Sequence, residues 1–313
     1  MEHLLKDFLQ VTERAAVATL PWIGKGNKIE ADQAATTSMR ENLKQIEMQG
    51  VIVIGEGEID EAPMLFIGEK VGNGNGEAVD IAVDPIDGTT PVSEGNDNGI
   101  AVIAAAPKGT LLHAPDMYME KLAVGPEAVG KIDIDAPLIE NLHQVAKAKG
   151  KKISEMNVFV QDRPRHEEAV RIMREAGATV HLFRDGDVLR AITPSMKDMD
   201  MDMFYNIGGA PEGVLSAVAI KCLGGEMQAK LSFRNEEEYD RCLKMGIKNP
   251  KAALKHHQLV ASNQGIFVAT AITDTLFLKG IRDDNDELVT ETLVIDGMTK
   301  EWKKIKTDQF VNV

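Results

Sequence analysis

The chain has 313 residues, with 35 Lys and Arg against 49 Asp and Glu, for a formal net charge of −14. That balance excludes proteins that coat nucleic acid or lie on anionic membranes, since both need clustered positive charge, and aromatics at 4% exclude a base-stacking surface. The length predicts about two domains, large enough to fold without staples; Cys222 and Cys242, the only cysteines, read as reduced thiols rather than as part of a zinc site. Glu2, Lys6, Asp7, Glu13 and Arg14 break up the N-terminus in a way that is wrong for a secretory signal. No stretch approaches the roughly 20 apolar residues of a membrane span, so a cytoplasmic chain is expected.

In chain order, the spacing of Leu4, Leu5, Phe8, Leu9, Ala15 and Ala16 predicts an amphipathic helix over 3–19, ended before Pro21. A second helix is predicted from Asp32 to Gln49, with Ala35, Met39, Leu43 and Ile46 on one face. The period then changes to that of strands at 51–54 and 79–83, the second stopped at Pro85. Between them GNGNGE reads as a hairpin or loose loop, because no helix follows its glycines. Strands at 99–106 and 110–113 and a helix at 138–149 come next. Asn157–Gln161, a helix from His166 to Ala176 and Thr179–Phe183 have the lengths of a βαβ unit and predict a parallel pair. A strand at Met203–Ile207 leads through GGAPEG into a helix over 212–223, and further strands are predicted at 226–233, 266–271 and 289–296. The pattern as a whole is mixed α/β, with a boundary placed near 150 to give halves 1–150 and 151–313.

Acidic residues stand where these elements begin and end. Asp32 opens a helix; Glu56, Glu58, Asp60 and Glu61 follow a strand in GEGEIDEAP; Asp84 and Asp87 follow one in DPIDGT; Glu212 lies in GGAPEG. Taken singly, Asp32 reads as an N-cap, Glu212 as a favourable charge on a helix dipole and GEGEIDE as a solvated loop. Together they line strand ends, where ligands bind in α/β sheets, and they carry the hard oxygens that Mg²⁺ and Mn²⁺ prefer. GGAPEG sets two glycines and an early proline ahead of a helix, leaving backbone N–H groups for an anion. Arg163 and Arg165 flank Pro164, a rigid arrangement suited to bidentate phosphate contact, although on the residues alone RPRH reads as a surface basic turn. His256-His257 lacks a third ligand at usable spacing and reads as a solvated helix end, and Glu236-Glu237-Glu238 as an exposed face.

DPIDGT resembles the D-P-[I/L]-D-[G/S]-T signature of the lithium-sensitive, metal-dependent sugar and inositol phosphatases. Within that superfamily IGEGEIDEAPML (54–65), HAPDMYMEK (113–121), RPRH (163–166), DGDV (185–188) and IGGAPEGV (207–214) resemble, in order, the motifs of the GlpX-type class II fructose-1,6-bisphosphatases. The resemblance implies the layered α/β/α/β/α sandwich of the sugar and inositol phosphatases. It also implies hydrolysis of the 1-phosphate of fructose 1,6-bisphosphate in gluconeogenesis, with Mn²⁺ or Mg²⁺, and a homo-oligomer that binds neither nucleic acid nor membrane.

By the same resemblance, Asp32, Glu56, Asp84, Asp87 and Glu212 are metal ligands. Lys28, Asp60 and Thr89 are catalytic: Asp60 and Thr89 orient the attacking water and take its proton, and Lys28 stabilises phosphoryl charge. Asp87, Gly88, Thr89, Tyr118, Arg163, Pro164, Arg165, Asp185, Gly186, Asp187 and Gly209 bind the substrate. Asp87 stands where many GlpX-type enzymes have Glu, Thr90-Pro91 replaces a more polar continuation, and the segment after Phe233 is shorter. The rival readings are a phosphatase that also accepts sedoheptulose 1,7-bisphosphate, and a non-catalytic sugar-phosphate sensor. An inositol phosphate fits the RPRH, DGDV and HAPDMYMEK motifs less well.

Overall fold

Helix α1 (Leu4–Ala18) buries Leu4, Phe8, Val11 and Ala15, three or four residues apart, as an amphipathic helix must. Helix α2 (Lys28–Leu43) buries Ala31, Ala35, Met39 and Leu43 at the same spacing. Its cap is Asn27, whose side-chain oxygen accepts from the Glu30 N–H at 3.3 Å, so the helix begins a turn earlier than the sequence suggested and Asp32 lies inside it rather than at its start. It also ends at Leu43, because Met48–Ile54 forms strand β1. This computed structural model describes residues 1–55, 65–284 and 287–309.

After β1 come β2 (Lys70–Val71), β3 (Glu77–Asp87), the short helix α3 (Thr89–Glu94) and β4 (Ile100–Pro107). The chain then builds a second unit: β5 (Tyr118–Val124), α4 (Leu138–Lys149), β6 (Asn157–Gln161), α5 (Glu167–Glu175), β7 (Thr179–Phe183), α6 (Asp187–Ile192), β8 (Met203–Gly209), α7 (Ala210–Cys222), β9 (Glu226–Ser232), α8 (Glu236–Lys244) and α9 (His256–Leu259). It closes with β10 (Ile266–Ala271), β11 (Arg282–Asp284), β12 (Glu287–Asp296) and β13 (Glu301–Gln309). The units are Met1–Leu111 with Gln264–Val313, and Leu112–Asn263. The chain therefore divides at two points rather than once near 150, because the strands after 264 hydrogen-bond back into the first sheet: β10 runs antiparallel to β4 from Ile266↔Ala105 to Ala271↔Ile100.

Among the described residues, the sheet of the first unit runs β11-β12-β10-β4-β3-β1-β2, with β13 also on β12. One face carries Ile52, Val83, Ile103 and Val268 into a core with α1 and α2. Strand β4 is small-sided, with Ala101, Ala104, Ala105 and Ala106 all fully buried, which lets elements pack close on both its faces. Strands β1 and β3 are parallel, so the segments that follow them leave the same end of the sheet.

The sheet of the second unit runs β7-β6-β8-β5-β9. The predicted parallel pair is present, and β6 is also parallel to β8, whereas β5 is antiparallel to both β8 and β9. Leu142 and Val145 of α4 and Met173 of α5 pack with Val158, Val160, Leu122 and Met203. Helix α7 is apolar almost all round and buried along its length, as expected for a helix covered on every side. The architecture is mixed α/β in both units. No helix among the described residues is long and apolar enough to cross a membrane.

Four further sequence expectations differ from the structure. Residues 110–113 form no strand, because the Asp80 carboxylate instead caps this turn by accepting from the N–H groups of Gly109, Thr110 and Leu111 at 2.7, 2.9 and 3.2 Å. Strand β3 continues through Pro85 to Asp87, with a register shift against β4 between Asp84 and Asp87; a bulge tolerates the missing proline N–H. Glu238 is buried, held by Arg234, so the 236–238 run is not wholly a solvated face. His256 is buried too: its Nε2 donates to the Ala217 carbonyl at 2.9 Å and its Nδ1 accepts from the Met227 N–H at 3.2 Å, tying α9 to α7 and β9.

Candidate active site

In the first unit, the irregular end of β3 does what an ordinary strand end could not. Asp84 and Asp87 are both only 6% exposed, although a regular strand would point side chains three apart to opposite faces. The bulge breaks that alternation. Asp84 Oδ1 accepts from the Ile86 N–H at 2.9 Å, and the Thr89 hydroxyl donates to the Ile86 carbonyl at 3.0 Å. Gly88 follows at φ +94°, and a Cβ there would lie 2.3 Å from the Asn98 carbonyl oxygen; only glycine makes this turn into α3.

Lys28, the first residue of α2, reaches across to α3, where its Nζ donates to the Thr90 hydroxyl at 2.7 Å. Asp32 is four residues on, the same face one turn along the helix. Lys28, Asp32, Asp84, Asp87, Gly88 and Thr89 thus belong to one unit, with α2, α3 and β3 in contact. Glu56 and Asp60 follow β1, which ends beside the parallel β3, but both lie outside the described residues.

In the second unit, register explains why motifs far apart in sequence share an end of the sheet. Tyr118 opens β5 opposite Gly209 at the end of β8 and Ser232 at the end of β9. Because β6, β7 and β8 are parallel, RPRH and DGDV leave the sheet at that same end. It is the carboxyl end, where ligands bind in α/β folds.

The arginines are held firmly. Arg163 pairs with Asp185 at 2.6 Å, so two expected substrate residues contact each other. Arg165 Nε donates to the Ile207 carbonyl at 2.7 Å, and its guanidinium lies 5.1 Å from the Tyr118 ring centroid. Next to it His166 is fully buried: Nδ1 faces the Gln161 carbonyl at 2.8 Å and Nε2 accepts from the Ile207 N–H at 2.8 Å. That geometry requires neutral imidazole with the proton on Nδ1. Burial, and after it the charges of Arg165, Arg163 and Lys121, lowers the His166 pKa accordingly. Arg190 holds the DGD turn by donating to the Gly186 carbonyl at 2.7 Å.

Asp187 ends the DGD turn and opens α6. It is 7% exposed, and Oδ2 receives Lys121 Nζ at 2.5 Å and Asn206 Nδ2 at 2.8 Å. Lys121, only 1% exposed, also donates to the Gly209 carbonyl at 3.0 Å. Beside this pair Glu212 folds back over its own helix start; a Cβ on Gly209 would lie 1.9 Å from Glu212 Oε2. Among the described residues no donor reaches that buried oxygen. Burial, reinforced by the charge of Asp187 and opposed by Lys121, pushes the Glu212 carboxyl up to about 7. A buried carboxylate oxygen that lacks a donor is suited to a hard divalent cation.

Hydropathy could not reveal Lys121, Asn206 or His166, because each is polar in sequence and buried by partners that only the fold supplies. The one available signal was Lys121 and His166 lying inside motifs already recognised. Among the described residues alone, no three His, Cys, Asp or Glu side chains gather as a metal site. Asp32, Asp84, Asp87 and Glu212 nonetheless all offer hard oxygen donors, the type a divalent metal takes.

A family model described as bacterial fructose-1,6-bisphosphatase, glpX-encoded, matches residues 2–309. Fructose-1,6-bisphosphatase 1 class 2 of Escherichia coli strain K12 is 46% identical, covering 99% of this chain and 96% of the relative. Fructose-1,6-bisphosphatase class 2 of Haemophilus influenzae is 45% identical, covering 98% and 96%. A solved inositol monophosphatase from Anabaena (Nostoc) sp. PCC 7120 overlaps at a TM-score of 0.40 and 13% identity, over 72% of this chain and 83% of that one, too weakly to bear on the fold. The family implies a divalent metal cofactor. With its motifs in order and the match running almost end to end, the chain belongs to the GlpX-type class II fructose-1,6-bisphosphatase family.

Proposed function

We propose that this chain hydrolyses the 1-phosphate of D-fructose 1,6-bisphosphate, giving fructose 6-phosphate and phosphate, a gluconeogenic step, with Mn²⁺ or Mg²⁺ as cofactor. The observation that carries this reading is the family match over residues 2–309, together with 46% identity over 99% of the chain to a fructose-1,6-bisphosphatase. In this reading Asp32, Glu56, Asp84, Asp87 and Glu212 supply the metal ligands. When bound, the metal contributes positive charge to the phosphoryl oxygens and makes water a better nucleophile at neutral pH.

The chain's own groups do the rest. The Thr89 hydroxyl donates its proton to the Ile86 carbonyl, which leaves its lone pairs to accept from, and so aim, the attacking water. Asp60 takes the proton released as that water attacks phosphorus in line. Lys28, fixed at the start of α2 by Thr90, offsets charge that builds on the phosphoryl oxygens. The Gly88 and Gly209 backbones leave room for the substrate. Tyr118, Arg163, Pro164, Arg165, Asp185 and Gly186 bind the sugar and the phosphate that is retained. Asp187 binds the sugar with them, its carboxylate held at the start of α6 by Lys121 and Asn206.

A phosphate-release panel tests the substrate assignment. With Mn²⁺ or Mg²⁺ present, fructose 1,6-bisphosphate is expected to exceed fructose 1-phosphate and inositol 1-phosphate in kcat/KM by at least tenfold. Equal turnover of an inositol monophosphate would reject the bisphosphate reading, and the rate with sedoheptulose 1,7-bisphosphate shows whether the longer sugar is also accepted. Binding without turnover would mark a sensor.

A further inference from the structure

Tyr118 is 40% exposed at the carboxyl end of the second sheet, and two guanidinium groups lie over its ring. One is that of Arg165, from RPRH. The other is that of Arg234, 5.8 Å from the ring centroid, in a segment that contributed no functional residue to the reading above. Register explains the meeting: Ser232, the last residue of β9, pairs with Tyr118, and Arg234 lies two residues beyond it.

The Arg234 side chain is 65% exposed, yet it does not float. Glu238, almost fully buried, accepts from Arg234 Nε at 2.5 Å through one oxygen and from the Arg234 backbone N–H at 2.7 Å through the other. Asn235 caps α8, accepting from the Glu238 N–H at 2.9 Å, and thereby fixes the residue that fixes the arginine. Although burial raises the Glu238 pKa, the bonds from Arg234 and the charges of Arg234 and Arg241 hold it below the usual carboxylate range. An exposed arginine loses considerable rotamer entropy when held in this way, so the cost points to a use for the guanidinium.

Charge favours an anion. Arg165 and Arg234 both lie over the Tyr118 ring, with Glu238 and Asp116 offsetting the charge of Arg234. The Arg165 bonds go to the uncharged Ile207 carbonyl and Gln161 amide, so among the described residues its charge has no carboxylate partner. Arg234 uses its Nε edge on Glu238, and a guanidinium has a second terminal nitrogen for a phosphate oxygen.

We propose that Arg234, oriented by Glu238, binds the phosphate that the enzyme does not remove, alongside Arg165 and Tyr118. The inference rests on the bisphosphate reading, and it makes Arg234 a specificity-determining residue that favours a bisphosphorylated sugar over a monophosphorylated one. Arg234→Met keeps the apolar stem over Tyr118 and removes the fork. For this variant KM for fructose 1,6-bisphosphate should rise about tenfold with kcat within twofold, the scale of one charge-assisted phosphate contact, while kcat/KM for fructose 1-phosphate falls less than twofold. Calorimetry gives the second readout: fructose 6-phosphate should bind Arg234→Met about tenfold more weakly than wild type. Glu238→Gln, which keeps a side-chain oxygen acceptor, should show a smaller loss in the same two measurements. An unchanged KM for the bisphosphate, or equal losses for both substrates, would overturn the proposal. Should wild-type protein release no phosphate from any substrate, the functional reading fails separately, and the calorimetric comparison still decides the role of Arg234.

Discussion

Replacing Lys121 by Met tests how the second unit is held beneath its motif loops. The substitution keeps length and apolar volume but removes the ammonium that donates to Asp187 at 2.5 Å and to the Gly209 carbonyl at 3.0 Å. With Lys121 at 1% and Asp187 at 8% side-chain exposure, water cannot take its place. Asp187 retains the Asn206 amide, so the charge loses one of two donors, and Glu212 loses the positive group that opposes its rise. Breaking a buried pair in this way costs about 3–5 kcal/mol. For a unit of roughly 150 residues each kcal/mol shifts the melting temperature by about 2–4 °C, so a fall of roughly 6–20 °C is expected by scanning calorimetry. Adding Asp187→Asn should recover at least a third of the loss, because the stranded charge is then gone. A melting temperature within 2 °C of wild type, or a double variant less stable than Lys121→Met, would refute this reasoning.

Acid should weaken the fold through His256. Its pKa is lowered from 6.5 to about 4, chiefly by burial, so the unfolded chain binds the proton more readily. The stabilisation is therefore complete above pH 6.5 and is lost as pH falls toward 4, with about 2 kcal/mol gone by pH 5. Urea unfolding from pH 7.5 to 4.5 measures it; in His256→Gln that slope should flatten by about the same amount, and parallel slopes would count against it. Gly88→Ala, forced to φ +94° against the Asn98 carbonyl, should cut phosphate release at least tenfold by displacing Thr89; near-normal activity would mean that the turn is not needed. Asp84→Ala should abolish turnover while circular dichroism stays native, and retained activity would remove Asp84 from the metal ligands.

The helices and strands with strong periodicity were legible because local pattern and burial agree there: Leu4 through Ala18, the 157–183 βαβ unit and the GGAPEG turn all fell close to their predicted places. Strand β5 was not, since MYMEKLAV sets a buried lysine beside a half-buried glutamate, and no pattern reveals that Asp187 awaits Lys121. Helix α8 was masked by its three leading glutamates, which are N-terminal charges at a helix start. The candidate site was more legible than the fold around it. Asp84, Asp87, Gly88 and Thr89 are adjacent in sequence, so their grouping needs only one turn. Arg234 was invisible because it meets Tyr118 through strand register across more than a hundred residues.

The central claim is metal-dependent hydrolysis of fructose 1,6-bisphosphate. Its most direct test is phosphate release by chelator-stripped protein to which Mn²⁺ or Mg²⁺ is returned. The account predicts no release without metal, and on its return one phosphate and one fructose 6-phosphate for each substrate consumed. Folded protein that releases no phosphate with either metal, or equal release in its absence, would contradict it.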